Sequence, residues 1–85
     1  MSYILTFGST HTVLKAEEVL KEKGVAFRLD PAPKSLTEGC ELVITAEEGN
    51  LKELIKVLGN ACISPVSIYE RSGDKLKKAE GNYGA

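Results

Sequence analysis

With 85 residues, 42% of them hydrophobic and 27% charged, the chain has the length and composition of one small globular domain. A net charge of −1 gives no basis for binding nucleic acid or an anionic membrane surface, and no apolar run approaches the roughly 20 residues that a membrane-spanning helix needs. Residues 1–7 carry neither a basic segment nor a cleavage motif of a secretion signal, so we expect a cytoplasmic protein with reduced cysteines.

The first part of the chain predicts a strand, a helix and a second strand. Residues 3–7 alternate in polarity and are rich in strand-forming types, which is typical of a half-buried strand. Ser9 is placed to cap a helix over residues 10–23, and Gly24 is placed to end it. Residues 25–29 alternate again, so they predict a second strand that ends at the prolines following it.

The next part repeats this pattern. Residues 41–45 predict a third strand, and a leucine-rich stripe after it predicts a second helix. Asn50 and Glu53 have the spacing of a capping box at the start of that helix. Residues 62–69 predict the fourth strand, and because Pro65 cannot donate to a ladder, this strand should lie at an edge of the sheet.

The order β-α-β-β-α-β predicts the fold class. It is typical of an α+β, ferredoxin-like domain with a four-stranded antiparallel sheet in the order 4-1-3-2 and two helices on one face. We assign residues 1–70 to this domain. Residues 71–85 are polar and poor in core residues, so they predict a flexible C-terminal tail.

The predicted topology brings Cys40 to the end of the sheet where the first helix begins. The third strand would run from Cys40 alongside the first strand, which leads into Ser9, Thr10 and His11. A helix N-terminus favours an anion, so it lowers the pKa of a nearby thiol below the usual value of about 8.5. The side chains of these three residues would stabilise the charged sulfur, whereas the two glutamates near Cys40 in sequence would oppose it.

Two further residues are accessory candidates. Cys62 would open the fourth strand and reach the same end of the sheet, and Arg28 on an edge strand could contact an anion. Two strand spacings would separate the Cα atoms of Cys40 and Cys62 by about 9–10 Å, beyond the limit of about 7 Å for a disulfide. One His and two Cys without a CxxC motif are too few for a zinc site, so we expect no metal and no cofactor. Packing in the core is the alternative role for either cysteine.

Residues 9–40 resemble the selenium/sulfur carrier protein-like family of small bacterial domains, and the resemblance extends over residues 3–69. The shared features are Ser-Thr-His before the first helix, Leu-Lys-Ala-Glu within it, a Gly, Phe-Arg-Leu, a Pro-x-Pro turn and a cysteine before the third strand. The residues in register are Ser9, Thr10, His11, Leu14, Lys15, Ala16, Glu17, Gly24, Phe27, Arg28, Leu29, Pro31, Pro33 and Cys40. One departure is Glu41, which stands where the family tends to have a Gly, and its carboxylate disfavours a thiolate beside it.

The resemblance implies that Cys40 carries sulfur or selenium as a persulfide or selenopersulfide. Its partners would be a protein donor, such as a cysteine desulfurase or a sulfurtransferase, and a protein acceptor. The chain would then be a carrier or accessory domain rather than an independent enzyme, with a homodimer left open. The alternative is a small-molecule-binding regulatory domain of the amino-acid-sensing ferredoxin-like type, and the fold class alone does not choose between the two.

Overall fold

The computed structural model describes residues 2–34, 42–73 and 75–79. These residues form β1 (Ser2–Thr6), α1 (Thr10–Glu22), β2 (Arg28–Pro31), β3 (Leu42–Glu47), α2 (Glu48–Asn60), β4 (Ser67–Ser72) and β5 (Lys75–Lys78). All strand pairs are antiparallel, and the strands form one sheet in the order β2-β3-β1-β4-β5. Within the described ranges, neither helix has the length and apolar character needed to cross a membrane.

The sheet has five strands instead of the predicted four, so its full order is β2-β3-β1-β4-β5 and the predicted strand number is wrong. Within this order, the four predicted strands keep the predicted sequence 4-1-3-2. The additional strand, β5, pairs with β4 on the side away from β1, with Ser72 opposite Lys75. The end of β4 and all of β5 were predicted as part of a polar tail. A lysine-rich strand at a sheet edge needs no alternating apolar pattern, since its ladder partner satisfies the backbone groups and the charges discourage further pairing. Residues 80–85 of the predicted tail lie outside the described residues.

Of the four predicted strands, β2 and β4 differ most from their predicted boundaries. β2 begins at Arg28 rather than at residue 25 and includes Pro31, the last residue of an edge strand, where a missing N–H is tolerated. Pro65 precedes β4, which begins at Ser67 and lies between β1 and β5. The prediction that Pro65 belongs to an edge strand is therefore wrong.

The two ends of α1 confirm the prediction from the sequence. Ser9 Oγ accepts a hydrogen bond from the N–H of Thr12 at 3.2 Å, as an N-cap residue does. After the helix, Gly24 has a φ of 71°, and the N–H of Val25 donates to the carbonyl of Leu20 at 3.0 Å. This hydrogen-bond pattern is a Schellman motif, in which glycine is favoured because it has no Cβ.

The start of α2 differs from the prediction. The helix begins at Glu48, directly after β3, and its N-cap residue Glu47 makes no side-chain capping hydrogen bond. The predicted capping box of Asn50 and Glu53 is therefore wrong, because the helix starts before both residues. Its apolar stripe is buried as predicted, at Leu51, Leu54, Ile55 and Leu58.

Both helices pack on one face of the sheet. The core on that face joins the helix stripes to alternate strand residues, which are Tyr3, Leu5, Ile44, Ala46 and Ile68. The residues between them point to the opposite side of the sheet, which we call the helix-free face. Four of these residues are at most 4% exposed, namely Ile4, Thr6, Val43 and Thr45. The centre of the helix-free face is therefore buried, whereas Arg28 and Arg71 on the same face are exposed.

Candidate functional site

Cys40, the residue predicted to carry sulfur, lies outside the described residues. The structure does describe the strand that follows it in sequence. Leu42, two residues after Cys40, is the first residue of β3 and lies opposite Pro31 of β2. Because β3 is antiparallel to β1, the start of β3 lies at the same end of the sheet as Thr6, where β1 ends.

The start of α1 lies at this end of the sheet, four residues after β1 ends. The Oγ of Ser9 lies 3.0 Å from Thr12 Oγ1 and accepts the hydrogen bond from the Thr12 N–H. Ser9 is thus occupied in holding the helix start. Thr10 is half-buried and His11 is exposed. No acidic residue lies in the first turn of α1, so the described part of this helix start has no carboxylate of its own to offset the positive end of the helix dipole.

Cys62 is a free, exposed thiol at the C-terminal end of α2. It has a φ of 61°, a left-handed conformation that non-glycine residues rarely adopt. Its N–H donates to the carbonyl of Gly59 at 3.0 Å, and the N–H of Ile63 donates to that of Leu58 at 2.9 Å. Cys62 therefore has the place in this Schellman motif that Gly24 has after α1. The prediction that Cys62 opens the fourth strand is wrong, since β4 begins only at residue 67.

Arg28 lies on the edge strand β2, exposed as expected. Its Nε donates to Asp30 Oδ2 at 3.1 Å, and both side chains point to the helix-free face. In the register of the sheet, Arg28 lies opposite Thr45 of β3, which in turn lies opposite Ile4 of β1. Arg28 therefore lies away from the end of the sheet where α1 begins, and the structure does not bring it next to Ser9.

A cleft of about 370 Å³ opens on the helix-free face. This volume is within the usual range for small-molecule sites. Its polar lining among the described residues comprises Arg28, Asp30, Lys34, Thr45 and Arg71. Ile4 and Val43 contribute apolar surface at the base, and Pro31, Ala32 and Pro33 form one wall.

Thr45 is the unusual residue of this cleft. It is 4% exposed, and its Oγ1 has no hydrogen-bond partner within the part of the chain that the structure describes. The sequence carried one signal for it, a polar residue inside the otherwise apolar third strand. Arg71, predicted as part of the tail, belongs to β4 and is the second lining residue that the sequence pattern did not indicate.

No metal centre is present in residues 2–34, 42–73 and 75–79, because no three His, Cys, Asp or Glu side chains within these ranges are grouped closely enough to hold an ion.

The chain was compared with protein families, curated proteins and solved structures. Residues 2–70 match the model of a family described as "Putative Se/S carrier protein-like". Comparisons with curated proteins and with solved structures gave no significant match.

Proposed function

The chain belongs to the Se/S carrier protein-like family, as the sequence resemblance predicted, and on this premise we propose that Cys40 carries a sulfur or selenium atom between a protein donor and a protein acceptor. The family match over residues 2–70 is the observation that carries the proposal. A carrier needs one nucleophilic thiol and surfaces on which the donor and the acceptor dock, and it needs no cofactor.

The proposed transfer balances without an oxidant or a reductant. The Cys40 thiolate attacks the outer sulfur of a persulfide on the donor. A new S–S bond forms on Cys40 while the S–S bond of the donor breaks, and the donor leaves as a thiolate. A nucleophile on the acceptor then takes the same outer sulfur and releases the Cys40 thiolate. Selenium follows the same course as a selenopersulfide.

The start of α1 supports the charged sulfur in this proposal. The first N–H groups of a helix have no intrahelical acceptor, and here no carboxylate competes for them within the first turn. Ser9 contributes by holding this turn in place through Thr12. To Thr10 and His11, the next two residues, we assign the contact with the anion. The start of β3, two residues after Cys40 in sequence, lies at the same end of the sheet.

Two exposed apolar side chains fit a docking surface for the donor protein. Val66 is 61% exposed, although it lies beside Gly8 and its N–H donates to the Thr6 carbonyl at 2.8 Å. Leu14 is 46% exposed, about one turn into α1. Val66 lies at the end of the sheet where β1 ends and β3 begins, and Leu14 lies one turn from the helix start at that end, so we assign the docking of the donor to this end.

The direct test is intact-mass measurement after incubation with a cysteine desulfurase and L-cysteine. The wild type should gain one sulfur atom that a thiol reductant removes. Cys62→Ser should gain it equally, whereas Cys40→Ser should not. Cys62 is a matched control because its free thiol is exposed and would report indiscriminate sulfuration. Retention of the sulfur by Cys40→Ser, or no gain in any folded variant with an active donor, would contradict the proposal.

A further inference from the structure

We propose that the cleft on the helix-free face binds a small organic anion, held by Arg28, Arg71 and the hydroxyl of Thr45. The ligand class is a short apolar body with one anionic head group, either a carboxylate or a phosphorus or sulfur oxyanion. This proposal does not rest on the carrier function, since none of the three residues is a cysteine or belongs to the start of α1.

The charge of the cleft favours an anion. Three cationic side chains, those of Arg28, Lys34 and Arg71, line it together with one carboxylate, that of Asp30. The chain as a whole has a net charge of −1, so this positive group is a local feature and not a consequence of a basic protein. Positive charge gathered around a concave surface concentrates the field there and raises the local concentration of anions.

The two arginines stand on opposite sides of the cleft. Arg28 is on β2 and Arg71 on β4, with β3 and β1 between them, which places their strands three spacings or about 14 Å apart. Arg28 uses its Nε for Asp30, so its terminal NH₂ groups are free of hydrogen bonds to the described residues. A guanidinium group donates in a planar fork that matches the oxygens of carboxylates and phosphates.

Thr45 supplies the second and independent sign of a ligand. Its Oγ1 is buried and unpaired among the described residues, and Thr45 lines both this cleft and a smaller cavity of about 160 Å³. A buried hydroxyl without a partner destabilises a fold, so such groups are rare unless something else satisfies them. Rotation of the Thr45 side chain about χ1 would bring this hydroxyl to the cleft, where an oxygen of the ligand would accept its hydrogen bond.

The rest of the lining defines the body of the ligand. Ile4 and Val43 present aliphatic side chains at the base, and Pro31 and Pro33 stand at the wall. These surfaces offer no hydrogen-bonding side chains, so they favour a short apolar group. Asp30 repels a second negative charge next to Arg28, which favours one anionic head over a compact, highly charged inorganic ion.

The test is a titration of ¹⁵N-labelled protein, followed by the amide shifts in two-dimensional NMR spectra. The probe is n-butyl phosphate at constant ionic strength, with inorganic phosphate and 1-butanol as the head-only and body-only controls. We expect saturable shifts at the amides of Arg28, Thr45 and Arg71. The probe should bind at least about 5-fold more tightly than either control, because both parts of the ligand contribute.

Four variants make the test specific. Arg71→Gln and Thr45→Val should each weaken binding of n-butyl phosphate by about 5-fold or more, since each removes one hydrogen-bond donor. Asp30→Asn should tighten it, because the competing carboxylate is lost while the size of the side chain is kept. Lys52→Gln removes an exposed positive charge on α2, away from the cleft, and should leave binding unchanged.

Three results would overturn the proposal: no saturable shift, shifts confined to other surfaces, or an equal loss of binding in Lys52→Gln. Cys40→Ser should bind the probe as the wild type does. Sulfur transfer can therefore fail while the probe binds, and the probe can fail to bind while sulfur transfer succeeds. The two proposals are thus tested separately.

Discussion

Replacing Cys62 with glycine should stabilise this protein. The residue has a φ of 61° in the Schellman motif that ends α2, where the N–H of Ile63 reaches the carbonyl of Leu58. The corresponding motif after α1 has the same hydrogen bonds and contains Gly24 with a φ of 71°. One chain thus contains the same helix end twice, once with a Cβ in the left-handed region and once without.

The magnitude follows from two opposing contributions. A Cβ in the left-handed helical region costs about 1–2 kcal/mol, which Cys62→Gly removes. Glycine is more flexible in the unfolded chain, which costs about 0.5–1 kcal/mol. Because the thiol is exposed, little packing is lost with it. The expected net gain is about 0.8 kcal/mol in the free energy of unfolding, or about 3–6 °C in Tm for a domain of this size.

Urea and thermal unfolding under reducing conditions measure the effect, with two comparison variants. Cys62→Ala keeps the Cβ and should change the free energy of unfolding by less than about 0.5 kcal/mol, as exposed substitutions usually do. Gly24→Ala should lower it by about 0.8 kcal/mol, by the same two contributions with reversed sign. Nothing lies within 4 Å of a Cβ built on Gly24, so that loss would be conformational and not a clash.

A Cys62→Gly protein no more stable than Cys62→Ala would contradict this expectation. That result would show that the left-handed backbone at this position carries no penalty for a Cβ to relieve.

Three other substitutions test separate features. Ser9→Ala should lower the free energy of unfolding, measured in urea, by about 1 kcal/mol, because the Thr12 N–H loses its acceptor. Ser9→Asp should restore the stability, and an unchanged stability of Ser9→Ala would argue against the cap. Thr45→Val should raise the free energy of unfolding by about 1 kcal/mol in phosphate-free buffer, since it removes a buried hydroxyl that is unpaired among the described residues. A lower free energy of unfolding would mean that the hydroxyl has a partner. His11→Ala should slow sulfur loading of Cys40, timed by intact mass, without changing Tm; an unchanged rate would remove His11 from the proposed site.

Features that depend on neighbours in the sequence were predicted well. The Ser9 cap, the Gly24 end of α1 and the buried stripe of α2 all follow from side chains within a few residues of each other, where local hydrogen bonds and helical spacing decide the outcome. The capping box at Asn50 failed for the opposite reason. There β3 continues directly into α2, so the helix has already begun at Glu48 when the chain reaches the local motif.

The candidate sites show the same division. The sequence located the start of α1, with Thr10 and His11 next to the capping serine, because these residues are consecutive. It did not locate the cleft, because Arg28, Thr45 and Arg71 lie on three different strands and are far apart in sequence. Only the order of the strands brings them onto one face.

By itself, then, the sequence determined the two helices, their apolar faces, the end of α1 and the family to which the chain belongs. The tertiary structure decided that residues 75–78 add a fifth strand, that Cys62 ends a helix instead of opening a strand, and that Thr45 is buried without a described partner. The reason is physical. Helices and their caps are stabilised by groups close in the chain, whereas strand pairing and clefts depend on contacts between residues distant in sequence. A polar edge strand such as β5 has no alternating apolar pattern from which its pairing could be predicted.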